Sequence, residues 1–239
     1  MDVNLNASKG ESQREARGRA TRAALVAAAR GEFGSRGYAD TSVDDIVARA
    51  GVTKGAFYHH FDTKKQLFVE VFTEVEREVS RAAFVVHLDH QPFQPPEDLS
   101  PQERSRAIRR FVDQSDADVW RLLQDRCRRY LEFHTDPQVK QIALVDARWV
   151  LPWTEWQSIK EEQGVVLLRA DLRRTSHRGL LKPLPLPTLA LLLKGALNEA
   201  CMVVAAAEDQ NAALEEAMVV IEAFLEGLRA DDQGSRRSG

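Results

Sequence analysis

Apolar residues near the start of the chain recur at the spacing of a helix and not of a strand. A stripe from Leu25 to Phe33 has a period of about 3.6 residues. We expect its helix to begin near Arg14 and to end at Gly34 and Gly37.

Two short helices follow. Thr41 or Ser42 is expected to cap the first of them, and Gly51 to stop it, because a left-handed residue after a helix favours glycine. Thr53 is expected to cap the second short helix, which runs to about His60.

The rest of the chain also has helical patterns. A fourth helix, capped by Asp62 or Thr63, runs towards Leu88, and the proline-rich stretch 90–101 is predicted to be a loop. The further predicted helices are 102–114, 117–134, 137–151, 153–174, 187–207 and 212–230. Alternating strand patterns are missing from the sequence, so the predicted fold is all-α with a domain division near residue 62.

Composition narrows the class of protein. The 239 residues allow one or two domains with proper cores. Two cysteines, Cys127 and Cys201, exclude a disulfide framework or a thiolate zinc site and favour the reducing cytoplasm. The polar start is not a signal peptide, and the apolar stretch 183–207 is interrupted by Lys194 and Glu199, so no membrane span is predicted.

The net charge of −3 argues at first against a nucleic-acid partner, but the charge is unevenly distributed. Residues 1–65 carry 11 Lys and Arg against 8 Asp and Glu, and the remainder carries 22 against 28. Local charge decides binding, so a weakly basic head on an acidic body leaves DNA binding open. The alternative is that the basic cluster is a solvated face.

The stretch TSVDDIVARAGVTKGAFYHHF, residues 41–61, has the form of a helix-turn-helix. Its second helix must enter the major groove with its N-terminal residues at the base edges. One cation beside small residues, in Thr53-Lys54-Gly55-Ala56, suits that task, and Phe57 or Phe61 is expected to anchor the helix to a core.

These residues resemble the DNA-binding domain of the TetR/AcrR family of bacterial transcriptional regulators. The resemblance covers about residues 19–67, through F-x-x-x-G-Y, T-S-V-x-x-I, A-G-V-T-K-G-x-F-Y-H-H-F and K-x-x-L. It implies an N-terminal three-helix domain over 14–62 and a larger helical ligand-sensing and dimerisation domain over 63–230. A disordered arm, 1–13, and a disordered tail, 231–239, flank them.

The resemblance also implies roles for single residues. Thr41 and Ser42 would hold phosphates, Thr53, Lys54, Gly55 and Ala56 would face base edges, and Tyr58, His60 and Lys64 would contact phosphate. Arg14, Arg17 and Arg19 would track the neighbouring DNA backbone or the minor groove. The alternatives are that Tyr58 packs, that Ser42 and His60 only cap helices, and that Lys64 is idle in solvent.

The last two helices offer a dimer interface. The residues predicted to form it are Leu189, Leu193, Leu197, Ala200, Val204, Leu214, Met218, Ile221, Leu225 and Leu228. The alternative is that these two stripes form ordinary core within one chain.

Aromatic and polar residues on apolar faces predict an effector pocket. They are Trp120, Cys127, Tyr130, His134, Trp149, Trp153, Trp156 and Asn198. Such walls suit a small apolar or aromatic effector; the alternative is that these residues are plain core. A redox role for Cys127 is the weaker interpretation, because the neighbouring sequence lacks a resolving cysteine.

Function follows from these predictions. The sequence predicts a cytoplasmic, ligand-responsive repressor that binds a pseudo-palindromic DNA operator as a homodimer and needs no cofactor or metal. One alternative is a ligand-independent DNA-binding regulator of the same fold. An enzyme is disfavoured, because the sequence lacks H-E-x-x-H, G-x-S-x-G and a glycine-rich phosphate cradle.

Overall fold

The structure, a computed structural model, describes residues 5–84 and 116–230, and the side chains of 15–83 and 118–230. The predicted loop 90–101, the predicted helix 102–114 and the predicted tail 231–239 lie outside the described residues. The described part is helical and contains no strand, which confirms the all-α fold class.

The helices are labelled in chain order. The first four are α1 (Leu5–Arg36), α2 (Val43–Ala50), α3 (Lys54–His60) and α4 (Lys64–Phe84). They are followed by α5 (Asp116–Phe133) and by α6, which comprises Pro137–Val139, a π-helical turn at Lys140–Asp146, and Ala147–Val150. The last three are α7, comprising Trp153–Lys160, a π-helical turn at Glu161–Val165 and Val166–His177, then α8 (Leu186–Ala206) and α9 (Gln210–Leu228).

The predicted arm over 1–13 is wrong from Leu5 onward, because α1 already begins there. The apolar period that marks a helix reports burial and not helicity, so a polar helical stretch gives no periodic signal. Residues 1–4 lie outside the described residues.

The chain forms two compact units. Unit 1 comprises residues 1–75 and 137–156, and unit 2 comprises 76–136 and 157–239. This division differs from the predicted domains, which place the boundary after residue 62 and assign 137–156 to the second domain. The functional assignment of the domains stays a prediction.

Unit 1 has an aromatic core. Phe33 of α1 lies 5.3 Å from Phe68 of α4, centroid to centroid, and Phe57 of α3 lies 5.9 Å from Phe61. All four rings are fully buried. Together with Ile46 of α2, these rings form one hydrophobic cluster that packs α1, α2, α3 and the start of α4 together.

α6 packs on α1 within unit 1 at a very close approach. A Cβ on Gly34 would lie 2.7 Å from the Cβ of Gln138, so only glycine fits at that position. Nearby, Asp146 accepts a hydrogen bond of 2.8 Å from the backbone N–H of Tyr38. The glycine predicted only as a helix end is therefore a packing residue.

Unit 2 is built from the second half of α4, α5, most of α7, α8 and α9. Its apolar core includes Leu123, Leu168, Leu193 and Met218, all buried. A buried ion pair between Arg126 of α5 and Asp171 of α7 crosses this core.

Candidate nucleic-acid interface

Local capping fixes the helix-turn-helix in unit 1. Ser42, not Thr41, is the N-cap of α2: its Oγ accepts from the N–H of Asp45, whose carboxylate accepts from the N–H of Ser42. This capping box satisfies two N–H groups that a helix start leaves without partners. Gly51, at φ 67°, ends α2, as predicted.

α3 presents its N-terminal half to solvent. Thr53 accepts a 3.2 Å hydrogen bond from the N–H of Ala56, which confirms the predicted cap. Phe57 and Phe61 are buried, and they turn the opposite face of α3 outward. We call that face the reading face; its residues are Thr53, Lys54, Gly55, Ala56 and Tyr58.

The reading face is open and carries one cation. Thr53, Lys54 and Gly55 are exposed, Ala56 is half-buried, and Tyr58 is 53% exposed. A Cβ on Gly55 would meet nothing closer than the Oγ1 of Thr53, at 3.8 Å. Tyr58 is not packed in the core, although its ring lies 5.1 Å from that of Phe57.

Lys54 is held by an acidic partner. Its Nζ lies 2.9 Å from Oδ1 of Asp44 on α2, and the hydrogen bond and charge of Asp44 raise the pKa of Lys54. Both side chains are exposed, so the pair is worth little and separates readily.

Two predicted phosphate contacts are wrong in their side-chain roles. Thr41 is buried and its hydroxyl donates 2.8 Å to the carbonyl of Gly37. Lys64 donates to the carbonyls of Tyr38 and Thr41, each at 2.7 Å, and lies 4.1 Å above the Tyr38 ring. Thr41 thus closes a local turn between α1 and α2, whereas Lys64 ties α4 to that turn through a tertiary contact that local sequence does not reveal.

Ser42 and His60 stay predictions. Ser42 is exposed at the start of α2, although its hydroxyl already takes part in the cap. His60 is half-buried, and burial, with the charges of His59 and Arg22, lowers its pKa. His60 is therefore neutral near pH 7 and suited to a neutral hydrogen bond.

The basic residues before the reading face lie along α1. Arg17 and Arg19 are exposed, and Arg19 lies 4.0 Å from Glu15. The side chain of Arg14 lies outside those that the structure describes.

The predicted pocket residues fall into different units. Trp149 is 88% exposed and Trp153 is 64% exposed, stacked on Trp156 at 5.0 Å, all in unit 1. The prediction that Trp149 and Trp153 form pocket walls is therefore wrong, because helical spacing does not say which face is inward.

The other predicted pocket residues lie in unit 2. Trp120 is buried and donates 2.7 Å to Glu226. Tyr130 is fully buried, and its hydroxyl donates a 2.6 Å hydrogen bond to Oδ1 of Asn198. Cys127 is a buried thiol whose pKa burial raises to about 12, which argues against a reactive thiolate.

Tyr130, His134 and Asn198, all predicted pocket residues, belong to a polar cluster in unit 2 whose other members the sequence analysis did not name. The cluster comprises Glu76, Ser80, Tyr130, His134, Lys160, Lys194 and Asn198, from α4, α5, α7 and α8. Lys194 is the one possible signal, because it interrupts an apolar stretch. The spacing of residues along the sequence does not reveal which side chains of four different helices meet in the fold.

The predicted dimer stripes are wrong as an exposed interface. Most of their members, such as Leu193, Leu197, Met218 and Leu225, are buried within unit 2. The apolar residues of α8 and α9 that stay exposed are different: Leu191, Leu192, Val203, Val219, Val220 and Phe224. Apolar residues thus lie on the exposed as well as the buried faces of these helices, and the sequence analysis assigned the buried stripes to the dimer interface.

Two further properties concern metals and membranes. Among residues 5–84 and 116–230, the structure has no group of three or more His, Cys, Asp or Glu side chains placed to hold a metal ion. α8 is the one described helix long and apolar enough to cross a membrane, by length and composition alone. Leu189, Leu193 and Leu197 of α8 pack in the core of unit 2, as in a core helix of a soluble domain.

A helix-turn-helix with an open reading face, followed by a helical unit, is the architecture of a DNA-binding regulator. Two family descriptions match this chain: "Bacterial regulatory proteins, tetR family" over residues 25–71 and "Tetracyclin repressor-like, C-terminal domain" over 120–228. A TetR-family transcriptional regulator of known structure from Pectobacterium atrosepticum is 32% identical, with a TM-score of 0.65, covering 90% of this chain and 97% of that one. The chain therefore belongs to the TetR family of DNA-binding transcriptional regulators, which are not enzymes.

Curated relatives match over shorter stretches. The "Probable acrEF/envCD operon repressor" of Escherichia coli K12 is 38% identical over 76 residues, which are 31% of this chain and 34% of that protein. The Tn10 TetC protein of Escherichia coli is 53% identical over 49 residues, 20% of this chain and 25% of that protein. The match thus spans about a third or less of these two relatives.

Proposed function

We propose that this protein is a cytoplasmic, effector-controlled transcriptional repressor that binds a pseudo-palindromic operator as a homodimer. The observation that carries the proposal is the reading face of α3, which is exposed while Phe57 and Phe61 anchor the helix from behind. One relative is named a probable operon repressor, which supports repression over activation.

The reading face suits the major groove. Lys54 would leave Asp44 and donate to O6 and N7 of a guanine, because a cation is the preferred partner of those acceptors. Thr53 supplies a hydroxyl, and Gly55 and Ala56 let the backbone approach the bases. Tyr58 and His60 would donate to phosphates, and Ser42 would do so from the start of α2.

Two heads are needed for useful affinity, since the head carries only a small positive balance. The proposed dimer surface is the exposed apolar face of α8 and α9, made of Leu192, Val203, Val219, Val220 and Phe224. α8 and α9 are long neighbouring helices with a short connection, so they can pair with their copies as a four-helix interface. The two reading faces would then enter major grooves about one helical turn, ~34–36 Å, apart.

The effector would bind in unit 2, which contains most of the stretch 120–228 that matches the tetracycline-repressor-like C-terminal domain. It needs only to favour the released state over the DNA-bound state. A hundredfold preference, about 2.7 kcal/mol, gives substantial release.

DNA affinity tests the proposal. Lys54→Ala and Tyr58→Ala are compared with the wild type by fluorescence anisotropy on the DNA that flanks the protein's own gene. We expect each variant to weaken specific binding roughly tenfold or more, because each loses a base or phosphate contact. The matched control is Lys182→Ala, an exposed lysine of unit 2, which should bind as the wild type does. Unchanged binding by both reading-face variants would refute the assignment.

A further inference from the structure

Lys194 lies in the interior of unit 2 without the partner that a buried ammonium needs. Its side chain is 3% exposed, and its Nζ lies 4.0 Å above the Tyr130 ring. Within the described part of the chain, that Nζ has no hydrogen-bond partner. A buried ammonium without a hydrogen-bond acceptor is costly, so its presence calls for an explanation.

Other buried polar atoms around Tyr130 are also unsatisfied. Ser80 is 2% exposed and His134 is 1% exposed; their Oγ and Nε2 lack hydrogen-bond partners among the described residues. His134 Nδ1 is 2.7 Å from the carbonyl of Tyr130, so Nδ1 carries the proton and Nε2 is an acceptor. The same region thus offers unused donors, on Lys194 and Ser80, and unused acceptors, on Nε2 of His134 and on Oε2 of Glu76.

The charges of the cluster do not balance. Glu76 is fully buried and lies 2.6 Å from Nζ of Lys160, so this carboxylate already has a cationic partner. His134 is neutral, because burial, with the charge of Lys160, lowers its pKa to about 3. Two lysines thus share the one carboxylate of Glu76, so protonated Lys194 leaves the cluster with one positive charge in excess.

The backbone of α7 makes room beside the ammonium. Gly164 is buried in the π-helical turn Glu161–Val165, and a Cβ there would lie 2.8 Å from Nζ of Lys194 and 3.3 Å from Oγ of Ser80. Any larger residue would push the ammonium or the hydroxyl away. π-helical turns occur frequently at functional sites, which fits a binding role for this one.

We propose that Lys194 and Ser80 bind the carboxylate of a small organic acid whose apolar body packs among the core residues around Tyr130. This inference rests on the proposed function, because it names the chemistry of the effector that unit 2 would sense. An acid with an apolar body supplies a negative charge to balance Lys194. Its apolar body also agrees with the small apolar or aromatic effector that the sequence predicts. A hydroxyl or N–H on the same ligand would donate to Nε2 of His134.

Direct binding tests the inference with matched pairs of probes. Hexanoate and benzoate are compared with hexanamide and benzamide by isothermal titration calorimetry on the full-length protein at constant ionic strength. We expect at least one acid to bind roughly tenfold or more tightly than its amide, which has nearly the same shape and no charge. If neither acid binds more tightly than its amide, the inference is wrong.

Variants then locate the site. Lys194→Met keeps the length of the side chain and removes the charge, and Gly164→Ala keeps the charge and displaces it. Both should weaken acid binding roughly tenfold or more, whereas Lys182→Met, an exposed lysine of the same unit, should leave it unchanged. Circular dichroism and DNA binding show that each variant is folded. Undiminished acid binding by a folded Lys194→Met protein would overturn the assignment.

The DNA assay separates this inference from the proposed function. Acid binding that depends on Lys194 supports the inference even where the acid leaves the DNA complex intact, and that second result would count against effector control. Conversely, normal DNA binding by a protein that shows no preference for acids would leave the repressor proposal standing and refute the acid site.

Discussion

At the scale of single residues, burial separates side chains that hold the fold from those free to bind. Thr41 and Lys64 resemble phosphate contacts in sequence, yet their polar atoms bond to backbone carbonyls inside unit 1. Thr53, Lys54 and Tyr58 keep their polar groups at the surface. The proposed DNA specificity would therefore depend on few side chains, most of them on α3.

Lys194 gives a stability prediction with a definite pH dependence. Burial lowers its pKa to about 7 from 10.5, against a raising effect of Glu76. The unfolded chain therefore binds the extra proton between about pH 7 and pH 10.5, so this residue's destabilising effect grows as the pH falls through that range and is complete below it.

We accordingly expect Lys194→Met to raise the free energy of unfolding at pH 6 by about 1–3 kcal/mol, with a smaller gain at pH 9. Urea unfolding at the two pH values measures it. The charged and titratable groups that face Lys194 are Glu76, Lys160, His134, Tyr130 and Cys201. Lys182→Met is the exposed control; it loses a surface hydrogen bond to the carbonyl of Gly227 and should give no gain in stability at either pH. A loss of stability at pH 6 would contradict the prediction.

At the scale of elements, close backbone approach matters as much as the hydrophobic pattern. α1 and α6 meet where Gly34 faces Gln138, and Asp146 of α6 binds the N–H of Tyr38 directly after Gly37. α6 is thus packed tightly against α1, which contributes Phe33 to the core of unit 1, although the two helices are distant in sequence.

Gly34→Ala tests that contact. The new Cβ would lie 2.7 Å from Cβ of Gln138, so the helices must move apart, and we expect a loss of about 1–3 kcal/mol in the free energy of unfolding. Chemical denaturation measures the loss. Ser35→Ala, an exposed neighbour on α1, is the control and should change stability far less.

A second substitution makes the interpretation sharper. Gln138→Gly removes the opposing Cβ and should recover part of the stability lost by Gly34→Ala, so the two effects should not be additive. Full additivity would show that the contact is not the cause.

In this protein the sequence predicts where the helices lie well, but it predicts poorly which face of a helix is buried. The end of α2 follows from Gly51 and the start of α3 from Thr53, because capping and glycine conformation are local properties. Leu193 and Leu225 show the opposite case. α8 and α9 have apolar residues on their exposed faces as well as their buried ones, so periodicity cannot tell the face that packs in the protomer from the face left outside.

The polar cluster around Tyr130 could not be predicted from the sequence either. Glu76, Lys160 and Lys194 are far apart in sequence, and nothing near any of them marks the others. Their meeting depends on the packing of α4, α7 and α8, which only tertiary structure supplies.

At the scale of the whole molecule, assembly is the proposed property with the largest consequence. Val219 is 68% and Val220 is 67% exposed on α9, an unfavourable arrangement for a monomer in water. We expect Val219→Glu to give monomers, because pairing the copies would bury an unpaired charge. Analytical ultracentrifugation measures the association.

Two comparisons sharpen that prediction. Val166→Glu places the same charge at an exposed apolar position of α7 and should leave the association unchanged. Leu225→Glu, by contrast, places the charge in the core of unit 2 and should unfold the protein, not divide a folded dimer. A folded Val219→Glu protein that still sediments as a dimer would move the interface elsewhere.

The exposed valines of α9 have a consequence for the cell. If two chains must meet on this surface before either reading face is useful, operator occupancy at low abundance rises with the square of the chain concentration. Halving the amount of protein would then reduce occupancy about fourfold, so a modest change in synthesis or degradation would act as a switch without any effector.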